Sequence, residues 1–161
     1  MHPGQATADT RTLLDRYLIG LDDDELDDAW AARLFTRDAR VEFPMSGHKG
    51  LEGLAAYHRD ALAAFAATQH LGSPAVVDLV DEGRAVLRAN LVSAHVHHPG
   101  TPGRPLFTVG TLATGEAELT DEGWRLSALT FRVLWTEGNP PVAEGNPPVT
   151  EGNPPVTEES R

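Results

Sequence analysis

RAVLRANLVSAHVHH, residues 84–98, reads as a long β-strand with two unlike faces. Side chains alternate sides along a strand, so Ala85, Leu87, Ala89, Leu91, Ser93, His95 and His97 share one face, while Val86, Arg88, Asn90, Val92, Ala94 and Val96 share the other. The odd face is the apolar one, and His95 continues it, as expected of a strand that lines a cavity. Leu87, Ala89 and Leu91 are therefore read as substrate-pocket residues.

The flanking segments carry the same alternation. PAVVDLV (74–80), LFTVGTLATGEAEL (106–119) and WRLSALTFRVLW (124–135) read as strands, with tight connections at Asp81-Glu82-Gly83 and Thr120-Asp121-Glu122-Gly123. A shorter strand, RVEF, occupies 40–43. Gly110 and Gly115, inside the long strands, suit the bulges that let a sheet curve.

Upstream, the apolar period becomes helical. Leu13, Leu14, Tyr17, Leu18 and Leu21 define a helix over 9–21 with Asp9 as N-cap; Leu26, Trp30 and Leu34 define one over 23–35; and Leu54, His58, Ala61, Leu62 and Phe65 define one over 50–65. Helices first and long antiparallel strands afterwards predict an α+β fold, one curved sheet wrapped around N-terminal helices.

Between the third helix and the strands lies AATQHLGSP, 66–74, which puts His70 at the end of an alanine-rich helical run. Its neighbours are small or apolar, so the imidazole faces inward and needs a partner for each ring nitrogen. His95, on the apolar face of its strand, is its natural companion.

Composition bounds what this set can do. The 161 residues have room for one core, read as a single domain over 9–139 after a flexible N-terminus, 1–8. A formal charge of −11 disfavours nucleic acid and anionic membranes as partners. No cysteine occurs, so carboxylates, histidines and hydroxyls must carry the chemistry. MHPGQATADTR lacks a signal pattern and no apolar run is long enough to span a bilayer, which gives a cytoplasmic expectation. The C-terminus repeats EGNPPVA (137–143), EGNPPVT (144–150) and EGNPPVT (151–157), and its Pro and Gly content reads as disorder over 140–161.

Metal binding is the weaker use of these residues. His95 and His97 share a face, but His98 points away and no acidic residue stands close in sequence. The run Asp22-Asp23-Asp24-Glu25, with Asp27 and Asp28, lacks the glycine-turned loop of a calcium site. No metal and no organic cofactor are expected.

Leu21-Asp22 after the first helix, ATQH at 67–70, the strand ending in His95, EGWRL at 122–126 and LWTEGNP at 134–140 together resemble the SnoaL-like branch of the nuclear transport factor 2-like superfamily, and within it scytalone dehydratase. The resemblance spans 9–140 and implies a cone-shaped, cystatin-like α+β barrel with an apolar pocket at its wide end. It implies His70 as catalytic histidine, His95 as the second histidine and Asp22 as the carboxylate bonded to His95. The tyrosines that hold the substrate carbonyl in that enzyme fall on Leu21 and Phe43, which cannot donate a hydrogen bond, so a different substrate is implied. Tyr17 and Tyr57 are the phenols left to supply that contact, and Phe43 remains a pocket residue.

An Asp–His pair with a second imidazole suits removal of a proton beside a carbonyl and protonation of a departing hydroxyl. The expectation is a cofactor-independent dehydratase or isomerase/cyclase acting on a hydrophobic, carbonyl-containing natural-product intermediate. An epoxide-opening cyclase and a non-catalytic ligand-binding or dimerising module are the alternatives. Val86, Val92, Val96 and Trp124 or Trp135 are expected to cover the open sheet face in a homodimer or homotrimer.

Overall fold

The computed structural model describes residues 2–23 and 25–141. Its elements are α1 (Pro3–Asp23), α2 (Asp28–Leu34), β1 (Phe35–Phe43), β2 (Ser46–Lys49), α3 (Leu54–Leu62), β3 (Ala67–Gly72), β4 (Val76–Leu79), β5 (Arg84–Val96), β6 (Leu106–Thr120) and β7 (Gly123–Glu137). The strands form one sheet in the order β2-β1-β7-β6-β5-β3, with β4 also paired to β5. Every pairing is antiparallel except β1 with β7. The α+β expectation holds: helices pack against a curved, mostly antiparallel sheet.

Parity along β5 is as the sequence implies, with Ala85, Leu87, Ala89, Leu91 and Ser93 buried and the even residues more exposed. Leu87, Leu126 and Leu129 meet Leu14, Tyr17, Trp30 and Leu54 from the helices in a core that excludes water. Gly115 makes room for this layer, because a Cβ there would sit 3.0 Å from both Leu87 and Leu129.

Curvature comes from β7 rather than from the glycines of β6. Gly110 pairs with Trp135 but Thr111 with Val133, and Glu116 pairs with Ala128 but Ala117 with Leu126. The extra residues are therefore Leu134 and Ser127, each a second residue of β7 set against a single-residue step in β6. Gly110 serves a different purpose, since the Trp135 indole occupies the space where a Cβ would stand.

Helix bounds differ from the periodicity reading. α1 starts at Pro3, so residues 3–8, expected to be flexible, form its first turns with Ala6 buried, and Asp9 lies inside the helix instead of capping it. The second helix is shorter than 23–35 because the Asp27 side chain accepts from the Trp30 backbone N–H and sets its start. β1 then begins at Phe35, well before residue 40, and α3 stops at Leu62. The larger correction concerns 67–72, read as the end of a helix and found as strand β3, paired with β5 from Ala67↔Val96 to Gly72↔Leu91. Alanine content suggested helix, but pairing to a long, half-buried strand overrides propensity. Of the segment 140–161, residues 142–161 lie outside the described residues.

Candidate active site

As a strand, β3 puts Thr68, His70 and Gly72 on one face, opposite His95, Ser93 and Leu91 of β5. Gly72 lacks a side chain where α1 crosses: a Cβ there would stand 2.8 Å from Leu18 Cδ1. Asp22 follows Leu18 by four residues on the same helix face, which carries its carboxylate to the edge of β3.

There the carboxylate accepts three hydrogen bonds. Thr68 Oγ1 donates to Oδ1 at 2.8 Å, the His70 backbone N–H donates to Oδ2 at 2.6 Å, and His70 Nδ1 bonds Oδ1 at 2.7 Å. The His70 side chain is 10% exposed and that of Asp22 19%, so the pair is largely withdrawn from water. A carboxylate only accepts, so Nδ1 of His70 carries a proton, and in the neutral imidazole the Nε2 lone pair is left for another partner.

This corrects the assignment of Asp22 to His95. His95 Nδ1 donates instead to the Phe107 carbonyl at 3.0 Å, and its ring stands at 88° to that of His70 with centroids 5.9 Å apart. Phe65 packs 4.5 Å from it. Burial holds the proton affinity of His95 below that of a free histidine, the Phe107 hydrogen bond opposes this, and His70 nearby lowers it further. Two imidazoles thus share the site, one anchored by a carboxylate and one by a backbone carbonyl.

The expected lining is only partly present. Tyr17 and Leu87 are 0% exposed, and Ala89 and Leu91 are 3%, so these four form the floor behind the site and offer no open wall. The Tyr17 hydroxyl donates to His58 Nε2 at 3.0 Å, while His58 Nδ1 donates to the Leu54 carbonyl at 2.9 Å, a closed buried pair. Burial pushes the Tyr17 phenol up and His58 down from their ordinary values. Tyr57 is half-buried and bonded to Ser46 Oγ at 2.7 Å, and Phe43 stacks on Phe131 with centroids 4.7 Å apart. The partly exposed rings beside His95 are instead Phe65 and Phe107. A groove of about 720 Å³ lies elsewhere, on the helical side, bordered by Arg16, Ile19, Arg33 and Arg125, and neither His70 nor His95 reaches it.

Thr68, Phe65 and Phe107 were missed by the sequence reading. The signal for Thr68 was available: in ATQH, strand parity places threonine and histidine on one side. Among the described residues no group of three or more His, Asp or Glu side chains is disposed to hold a metal ion, and no helix is long and apolar enough to cross a membrane. His95, His97 and His98 donate to three separate carbonyls, of Phe107, Asn139 and Ala63.

A family model described as a SnoaL-like domain matches residues 5–130. The chain belongs to the SnoaL-like domain family. Like that family it has the nuclear transport factor 2-like fold. Among solved structures, the Kfla4162 protein of Kribbella flavida is 26% identical, with a TM-score of 0.77 over 84% of this chain and 95% of that one. A scytalone dehydratase-like protein of Novosphingobium aromaticivorans DSM 12444 is 20% identical, with a TM-score of 0.71 over 91% and 94%. Hexachlorocyclohexane dehydrochlorinase LinA-type3 of Novosphingobium barchaimii LL02 is 18% identical, with a TM-score of 0.73 over 89% and 96%. No curated protein matches the chain.

Two histidines of this SnoaL-like domain, His58 buried and His95 half-buried, tie its stability to pH. Folding lowers the proton affinity of His58 and His95, so below a pH near 6.5 the unfolded chain takes up protons that the folded chain refuses. Stability is unaffected by these groups above that pH and falls beneath it, by at most about 1.4 kcal/mol per pH unit for each histidine. Urea unfolding between pH 7.5 and 5 is expected to show this decline, with a shallower slope in His58→Gln. Equal slopes would show that His58 titrates alike in both states.

Proposed function

We propose that this SnoaL-like domain is a cofactor-independent acid–base enzyme, a dehydratase or isomerase/cyclase, acting on a hydrophobic substrate whose C–H bond is activated by a carbonyl. The observation that carries the reading is the Asp22–His70 bond of 2.7 Å, which leaves the His70 Nε2 lone pair as a base. In the dehydration, Nε2 removes the proton, the electrons of the C–H bond form the double bond, and the carbon–oxygen bond breaks. The imidazolium, stabilised by Asp22, returns the proton to the departing oxygen, so water leaves and His70 is neutral again.

His95 supports the step in another way. Held neutral with Nδ1 engaged by Phe107, it offers an acceptor that orients a substrate hydroxyl. Tyr57 is the remaining phenol, since the Tyr17 hydroxyl is committed to His58. The reactions named for two of the similar structures, loss of water and loss of hydrogen chloride, are both eliminations. An epoxide-opening cyclase would use the same base.

One observation favours a non-catalytic module. Two of the three bonds to Asp22 come from the backbone N–H of His70 and from Thr68, and they pin α1 to the sheet edge whether or not chemistry follows. A panel of β-hydroxy ketones and chlorinated cyclohexanes separates the two readings. Turnover by the natural chain and a loss of about 10²–10⁴-fold in His70→Ala, at unchanged fold, is the outcome expected of a general base. Full activity in His70→Ala, or binding without turnover in the natural chain, would favour the module.

A small apolar substrate and a second or third copy of the chain are the proposed partners. Val92, Val96 and Trp135 are 38–47% exposed on the outer sheet face, whereas Trp124, at 4%, is interior and drops out of that surface. Sedimentation at micromolar concentration is expected to give a homodimer or homotrimer, and a monomer would refute it.

A further inference from the structure

The start of the first C-terminal repeat is not separate from the fold. The first begins at Glu137, the last residue of β7, and its opening Glu-Gly-Asn is received by the β5–β6 connection residue by residue. Glu137 Oε1 pairs with Arg104 Nη1 at 2.8 Å. Gly138 has φ +89° and lies so close to the Leu106 carbonyl that a Cβ would collide with it, so only glycine fits. The Asn139 amide side chain occupies the space over Gly103 where a Cβ would stand, and the Asn139 backbone carbonyl accepts from His97 Nε2 at 2.8 Å.

The last contact matters most. His97 is 8% exposed, and a buried ring N–H without an acceptor is costly, so this surface requires a carbonyl from the segment crossing it. The Arg104–Glu137 pair, with both side chains more than two-thirds exposed, adds selectivity more than strength. An acid, a residue without a side chain and an amide are thus each recognised by a different feature. The same three residues recur at Glu144-Gly145-Asn146 and Glu151-Gly152-Asn153, each followed by Pro-Pro-Val.

We propose that His97, Gly103, Arg104 and Leu106 form a docking site for the tripeptide Glu-Gly-Asn, filled by the first repeat and able to accept the second, 144–150, of the same chain when the first is withdrawn. The exchange moves seven residues, 137–143, into a loop, a length common between elements of compact domains. Tethering gives the second copy a high local concentration, which favours it over a copy from another molecule. The site therefore recognises a sequence motif rather than one position in the chain.

The test uses the full chain carrying Gly138→Val, which bars the first copy and leaves the other two intact. Long-range proton–nitrogen spectra of the imidazoles report whether His97 Nε2–H is still hydrogen-bonded. The expected result is a His97 Nε2 shift retained in Gly138→Val and lost when Gly145→Val and Gly152→Val are added. Gly103→Val, which fills the depression taken by the asparagine amide, closes the site to every copy and is expected to reproduce the triple variant. Exchange protection of the core amides shows that each variant is folded. A shift already lost in Gly138→Val overturns the proposal, as does a natural-type spectrum in Gly103→Val. Retention that depends on protein concentration would place the second copy in another molecule and overturn the assignment to the same chain.

Discussion

The Asp22 carboxylate takes three donors from one short edge strand, and both the seating of α1 on the sheet and the orientation of His70 depend on that convergence. β3 is the last strand on its side of the sheet, so the N–H of His70 has no neighbouring strand to accept it. An edge N–H withdrawn from water needs an acceptor, and α1 delivers one from its C-terminal turn. The same carboxylate then fixes the His70 tautomer. Positioning and packing cannot be separated here, because the side chain that closes the sheet edge also orients the His70 imidazole.

The helix reaches that point because two small features agree. Gly72 admits Leu18 of α1 against β3, and Asp22 lies one helical turn further along the same face. On the sheet side, the parity of β5 sends Leu87, Ala89 and Leu91 into the floor and leaves His95 at the rim, where Phe107 and Phe65 hold it. Bulges at Ser127 and Leu134 bend β7 around this floor, which keeps one side of a single sheet closed and the other open.

Much of this was legible in the sequence because it follows from period. The alternation in 84–98 gave the inner and outer faces of β5, and the helical stripes gave the core residues Leu14, Tyr17, Trp30 and Leu54. What failed was context. ATQHLG is too short and too small in its side chains for its own preference to decide, so only pairing with β5 makes it a strand and brings Thr68 to Asp22. The partner of Asp22 went to the wrong imidazole for the same reason, since a resemblance supplies residues but not the edge on which they meet. The Tyr17–His58 pair was hidden because a tyrosine in one apolar stripe and a histidine in another give no sign that they face each other. Likewise the first repeat looked like low complexity, and nothing local shows that Gly103 and His97 await it.

The proposed chemistry requires a bare Nε2 on His70, and the imidazole nitrogen spectrum of the natural chain reads that state without any substrate. At neutral pH the expected spectrum shows a His70 with its proton on Nδ1, a strongly deshielded Nδ1–H bonded to Asp22, and a pyridine-like Nε2, all lost together in Asp22→Ala. A proton found on Nε2, or a His70 spectrum unchanged by Asp22→Ala, would contradict it.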